Sequence, residues 1–96
     1  MPEPELATDA TVVRRDDVIS ERLLQETVVL NLDSNAYARL NATGRWIWER
    51  LEAPQTVDSL ARALAAEFEI DAPRALADVR AFVRGLRERG LVEVSA

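Results

Sequence analysis

Cysteine and histidine are both absent from the 96 residues. Without cysteine there is no disulfide framework, no thiol nucleophile and no cysteine-ligated metal cluster. Without histidine the usual general base and the usual zinc ligand are missing too, so Ser/His/Asp and Cys/His arrangements are excluded and any catalysis falls to carboxylates. Lysine is also absent, and all twelve basic residues are arginine, a bias that carries no functional weight. The three glycines, Gly44, Gly85 and Gly90, are too scattered for a phosphate-cradling loop. No apolar run approaches the roughly 18 residues that a membrane helix needs. Residues 1–10, with Pro2, Glu3, Pro4, Glu5 and Asp9, lack the basic and apolar regions of a secretory signal. The chain is therefore expected to be soluble and cytoplasmic, with no cofactor and no metal.

What remains is an apolar fraction of 48% beside 30% charged residues, in a length that suits one domain with one modest core. The net charge of −5 repels nucleic acid phosphate, although a local basic patch is compatible with it. Residues 1–10 read as a flexible tail and residues 11–96 as the domain.

Three β-branched runs open the domain: Thr11-Val12-Val13, Val18-Ile19, and residues 27–32. The last run alternates, Val28, Leu30 and Leu32 on one face and Thr27, Val29 and Asn31 on the other, so one face can be buried. Asp33-Ser34-Asn35 supplies turn chemistry, because asparagine tolerates the left-handed conformation. A second hairpin strand follows over residues 36–40, with Ala36, Ala38 and Leu40 facing opposite to Tyr37 and Arg39.

From Asn41 the period changes to about 3.6. Asn41 caps a helix running to about Glu52, Thr56 caps a second over Val57, Leu60, Ala61, Leu64 and Phe68, and Asp71 caps a third striped by Leu76, Val79, Val83 and Leu86. Gly90 stops the third helix, and Leu91, Val92 and Val94 suit a short closing strand. Strands first and helices after argue an α+β domain.

Three features invite a functional reading. Asp16-Asp17 is the one adjacent acid pair between strands, but neighbours on an extended chain point to opposite faces, which suits a turn better than a paired-acid site. Arg80, Arg84 and Arg87 share one helical face, as on a DNA recognition helix, yet lie in the half where cations suit the helix dipole. Trp46 and Trp48 point about 200° apart on their helix. Trp48 shares the apolar face, which leaves Trp46 as a candidate contact surface.

The stretch Glu26-Thr27-Val28-Val29-Leu30-Asn31-Leu32, the run Tyr37-Ala38-Arg39-Leu40-Asn41, and Gly44 with Ile47-Trp48 and Leu51 resemble the PqqD-like peptide chaperones. Thr56-Val57 with Leu60, Phe68, and Asp78-Val79 with Phe82, Leu86 and Gly90-Leu91-Val92 are similar to that family's pattern in order and spacing. The resemblance implies a three-stranded antiparallel sheet followed by three helices, winged-helix-like. It implies no catalysis. It implies that the leader of a precursor peptide adds as a strand at Ala36, Tyr37, Ala38, Arg39 and Leu40, in a groove walled by Asp78, Val79, Phe82 and Leu86. The partners implied are that precursor peptide and a modifying enzyme, such as a leader protease and cyclase of lasso-peptide formation or a radical-SAM enzyme. Asn35 stands where relatives often carry glycine. The competing readings are a winged-helix DNA-binding domain using Arg80, Arg84 and Arg87, and a small carboxylate-dependent enzyme, for which no acid pair presents itself.

Overall fold

In a computed structural model, which describes residues 6–24 and 26–95, the expected sheet is formed by β2 (Val18–Leu23), β3 (Glu26–Asn31) and β4 (Tyr37–Leu40), antiparallel and in that order. Its helices are α1 (Ala42–Arg50), α2 (Val57–Phe68) and α3 (Ala72–Glu88). The alternation on β3 decides its facing: Thr27, Val29 and Asn31 are buried, and Val28 and Leu30 lie on the outer face. Leu32 falls beyond β3 and is exposed. β4 pairs with β3 as Leu30 to Tyr37, Val29 to Ala38, Val28 to Arg39 and Thr27 to Leu40. Leu40 is therefore buried and Ala38 half-buried, while Tyr37 and Arg39 are exposed. The turn between them uses Asn35 at φ 63°, the left-handed conformation that asparagine tolerates. Asn31 Oδ1 accepts from the Asp33 and Ser34 amides at 2.8 and 3.0 Å, which folds the turn back on the strand.

A second sheet, absent from the sequence expectations, joins the two ends of the chain. β1 (Thr11–Arg14) lies between β5 (Gln55–Thr56) and β6 (Val92–Ser95), antiparallel to both. Arg14 donates from Nε and Nη2 to the Trp48 carbonyl at 2.9 and 2.7 Å, placing a cation at the C-terminal end of α1, where the helix dipole favours one. Residues 1–5 of the expected tail lie outside the described residues. Residues 6–10 are bonded to the domain: the Val57 amide donates to the Ala10 carbonyl at 3.0 Å, the Asp58 amide to Thr8 at 2.8 Å, and Arg80 Nε to Leu6 at 2.9 Å. Ala10 is buried.

The three caps form as their residue types demand. Asn41 Oδ1 accepts from the Gly44 amide, Thr56 Oγ1 from Ser59 and Asp71 Oδ1 from Arg74, at 2.8, 3.0 and 2.8 Å. Gly90, at φ 70°, ends α3, and the Leu91 amide turns back to the Leu86 carbonyl at 2.9 Å, the hydrogen bond of a helix ending on a left-handed residue. One core collects Ile47, Trp48, Leu51, Leu60, Leu64, Val79, Val83 and Leu91, each 2% exposed or less. Burial of such side chains contributes about 1.5–3 kcal/mol apiece before conformational entropy is set against it. Trp48 is inside, as its spacing predicts. Trp46 is not the free contact surface expected: the Arg50 guanidinium lies 3.5 Å from its ring centroid and Phe68 meets it edge-on at 5.7 Å.

Candidate functional site

β4 is the last strand of its sheet, so one side of its backbone carries no strand among the described residues. The direction of each group follows from two hydrogen bonds. The Asn31 amide donates to the Ala36 carbonyl at 2.8 Å, and the neighbouring Leu32 amide donates the other way, to the Asp17 carbonyl at 2.9 Å. Antiparallel pairing alternates from there without a slip in register. Ala38 and Leu40 thus direct their backbone groups to β3, as Ala36 does its carbonyl while its amide donates to Ser34 Oγ at 3.2 Å, and Tyr37 and Arg39 direct N–H and C=O to the open edge. The same alternation places the Ala38 and Leu40 side chains inward and those of Tyr37 and Arg39 outward.

A shallow groove of about 210 Å³ separates β4 from α3. It exists because small residues face each other across it: Ala38 on the strand, Ala81 and Gly85 on the helix, with Leu40, Phe82 and Leu86 as its floor and Arg39 and Arg89 at its rim. At the C-terminal end of β4 the groove shares Arg39, Leu40 and Phe82 with a wider open depression of about 740 Å³, reaching Arg22 on β2 and Arg45 on α1. Phe82 is half-buried, and a Cβ added at Gly44 would stand 2.9 Å from its Cε1. Glycine at position 44 is what lets α1 approach the ring this closely.

The expected site residues divide accordingly. Ala38, Arg39, Leu40, Phe82 and Leu86 come together along the groove. Ala36 and Tyr37 continue the edge toward the turn. Val79 does not line the groove, because its side chain is wholly buried in the core. Asp78 is exposed but lies outside the groove lining, facing Arg74 at 3.8 Å. Sequence reasoning missed Ala81, Gly85 and Arg89, although a helix repeats Phe82 at positions 85, 86 and 89. It also missed Arg22 and Arg45, which no local pattern connects to the strand edge.

Of the remaining candidates, Asp17 and Arg80 find structural partners. Asp17 is bonded to Arg15, Oδ1 from Nε at 3.1 Å and Oδ2 from Nη2 at 3.2 Å, and Asp16 is exposed. The bond from Arg15, followed by the attraction of its charge, holds the Asp17 carboxyl below its ordinary value, the reverse of what a general acid requires. Among the described residues no group of acids could hold a metal ion, and no helix is long and apolar enough to cross a membrane. Of the three arginines sharing a face of α3, Arg80 is turned onto the Leu6 carbonyl.

An antiparallel sheet with β4 at an open edge beside α3, followed by three capped helices, makes this an α+β domain of the winged-helix-like kind. The family model of coenzyme PQQ synthesis protein D (PqqD) matches residues 26–92, and the chain belongs to that family. No curated protein matches. Among solved structures the chain is similar to TbiB1 in complex with the TbiA(beta) leader peptide, at 33% identity and a TM-score of 0.75, over 84% of this chain and 94% of that one. It is also similar to a lasso peptide synthetase B1 complexed with the leader peptide, at 27% identity and a TM-score of 0.74, over 85% and 96% of the two chains.

Proposed function

We propose that this chain is a non-catalytic adaptor that binds the leader of a ribosomally made precursor peptide and presents it to a modifying enzyme. The leader adds as a strand to β4 and lies in the groove against α3. The observation that carries the reading is the outward pair of backbone groups at Tyr37 and at Arg39, set directly beside a groove floored by Phe82. A strand edge supplies affinity through the main chain, and a groove for alternate side chains supplies specificity. That TbiB1 and the lasso peptide synthetase B1 are each found with a leader peptide supports the same role here. The modifying partner is a leader protease with its cyclase, as in lasso-peptide formation, and holding both raises the effective concentration of substrate at the enzyme.

Titration calorimetry with a precursor peptide sought among the neighbouring genes, and with its separate leader and core, tests the reading. Leader and full precursor should bind alike, with about −8 kcal/mol, a Kd near 1 μM, and the core should add little. Binding of the core alone would overturn it.

A further inference from the structure

The depression at the C-terminal end of β4 is basic on a chain whose net charge is −5. Arg22, Arg39 and Arg45 stand around it, and Glu26 is its one acid among the described residues. Arg39 Nη1 reaches Glu26 at 4.0 Å with both side chains more than half exposed, and Arg45 Nε reaches Glu49 at 3.7 Å. Arg22, beside Thr27 on the inner face of the sheet, has no carboxylate within ion-pair distance among the described residues. The floor between them is apolar, Leu40 and Phe82, and the first turn of α1 opens on it at Ala42, adding the positive end of a helix dipole. The Arg22 and Arg45 guanidinium groups therefore keep donors for an anion, while Arg39, its side chain turned outward to Glu26, borders the depression from the strand edge; planar bidentate pairing suits a carboxylate.

Arg39 decides which anion this is. It contributes a wall of the depression and also an outward pair of backbone groups of β4. A strand paired at Arg39 thus carries its next side chains into the basic mouth. We propose that the mouth selects an aspartate or glutamate of the bound peptide, next to an apolar side chain seated on Phe82. This rests on the strand-addition reading and names the peptide chemistry the site prefers.

The probe is a library of random extended peptides selected on the full chain. Enriched peptides should carry an acid at one fixed spacing from an apolar residue. Changing that acid to glutamine should lower affinity about tenfold at low salt, and less as salt screens the pair. Arg22→Gln and Arg45→Gln should each weaken the acidic peptide while leaving its glutamine version and the thermal melt unchanged. Arg45→Glu should shift selection toward lysine or arginine at that position. Enrichment without a fixed acid, with binding still lost in Arg39→Pro, would overturn this proposal and leave the adaptor reading standing. Enrichment of no peptide, or of peptides indifferent to Arg39→Pro, would remove the adaptor reading as well. Competition by inorganic phosphate at micromolar concentration would make the mouth a phosphate site and also overturn it.

Discussion

Asn31 Nδ2 donates to the Gly90 carbonyl at 2.8 Å, across 59 positions of sequence. The bond joins the end of β3 to the end of α3, and so fixes the distance between the two walls of the groove. Asn31 is 4% exposed, and its Oδ1 simultaneously holds the turn that leads into β4. Loop closure over so long a separation is an entropic cost that the core meets first, after which this one side chain sets the register of helix end against hairpin.

Asn31→Ala removes three hydrogen bonds from a buried position and is expected to cost about 2–3 kcal/mol. Asn31→Asp is the sharper test, since it keeps the acceptor for the Asp33 and Ser34 amides and loses only the donor to Gly90. Denaturant unfolding should find both destabilised. Amide exchange should find the turn still protected in Asn31→Asp and the Leu91 amide less so.

Thr27 is 6% exposed and its Oγ1 has no hydrogen-bond partner among the described residues. Valine of the same shape removes a desolvated hydroxyl without opening a cavity, so Thr27→Val should stabilise the domain, by about 1 kcal/mol. A melt showing Thr27→Val less stable than wild type would mean that the hydroxyl is satisfied in solution.

Gly44 and Phe82 should separate stability from binding. Phe82 is only half-buried, so Phe82→Ala is expected to cost less than the roughly 3–5 kcal/mol of a fully buried phenylalanine, while leader affinity falls sharply. Gly44→Ala gains about 1 kcal/mol of helix propensity, but its methyl would displace the ring that it meets at 2.9 Å. The expected result is a nearly unchanged melting temperature with weakened leader binding, read by calorimetry on the same sample.

Asp17 gives the corner between β1 and β2 a pH dependence of known sign. Bonding from Arg15 lowers its folded pKa below the reference of 3.8. The stabilisation is therefore complete above that reference and is lost as the pH falls through the lower folded value, from about pH 4 downward. Melts over that interval should decline more in wild type than in Asp17→Asn. The side chains are exposed enough that added salt should reduce the difference.

The legible parts of this chain are those whose physics is local. Asn41, Thr56 and Asp71 announce their helices because a cap needs only its own next three residues, and the alternation of residues 27–31 states that one face is buried. Of the six residues of β2, the sequence pattern marks only Val18 and Ile19. Ser20, Glu21 and Arg22 carry no apolar alternation because β2 lies at the sheet margin, exposed along nearly its whole length. Strands β1 and β6 are legible as Thr11-Val12-Val13 and as the closing run at Leu91, Val92 and Val94, but β5 and the pairing of the three are not, since the pairs join Thr11 to Ser95 and to Thr56. At the site, the hairpin pattern states the strand over residues 36–40, its role as a peptide edge is implied by the family resemblance alone, and Val79 lies in the core because a helical stripe does not say which of its members meets a neighbour and which meets a groove. Arg22 and Arg45 reach the same mouth from different elements, a relation that exists only in three dimensions.

The directions of the β4 backbone turn strand addition into a prediction with a definite parity. Ala38 points its amide at β3 and Tyr37 and Arg39 point theirs at the open edge, as the Asn31 to Ala36 bond and the unbroken register require. Proline removes one donor and is tolerated in a sheet only where that donor faces away from the ladder. Ala38→Pro should therefore break the hairpin and lower stability by about 3 kcal/mol or more. Tyr37→Pro and Arg39→Pro should stay folded, with modestly lower melting temperatures, because the bond each loses is not made within the domain. Their deficit should appear in leader binding instead, about 1–3 kcal/mol for each lost donor. N-methylation along the leader applies the same test from the other side, and should weaken binding only at alternate positions, those that face Tyr37 and Arg39. Should Ala38→Pro fold normally, or should every N-methyl position be equally tolerated, the leader does not pair with β4 as a strand, whatever peptide the groove holds.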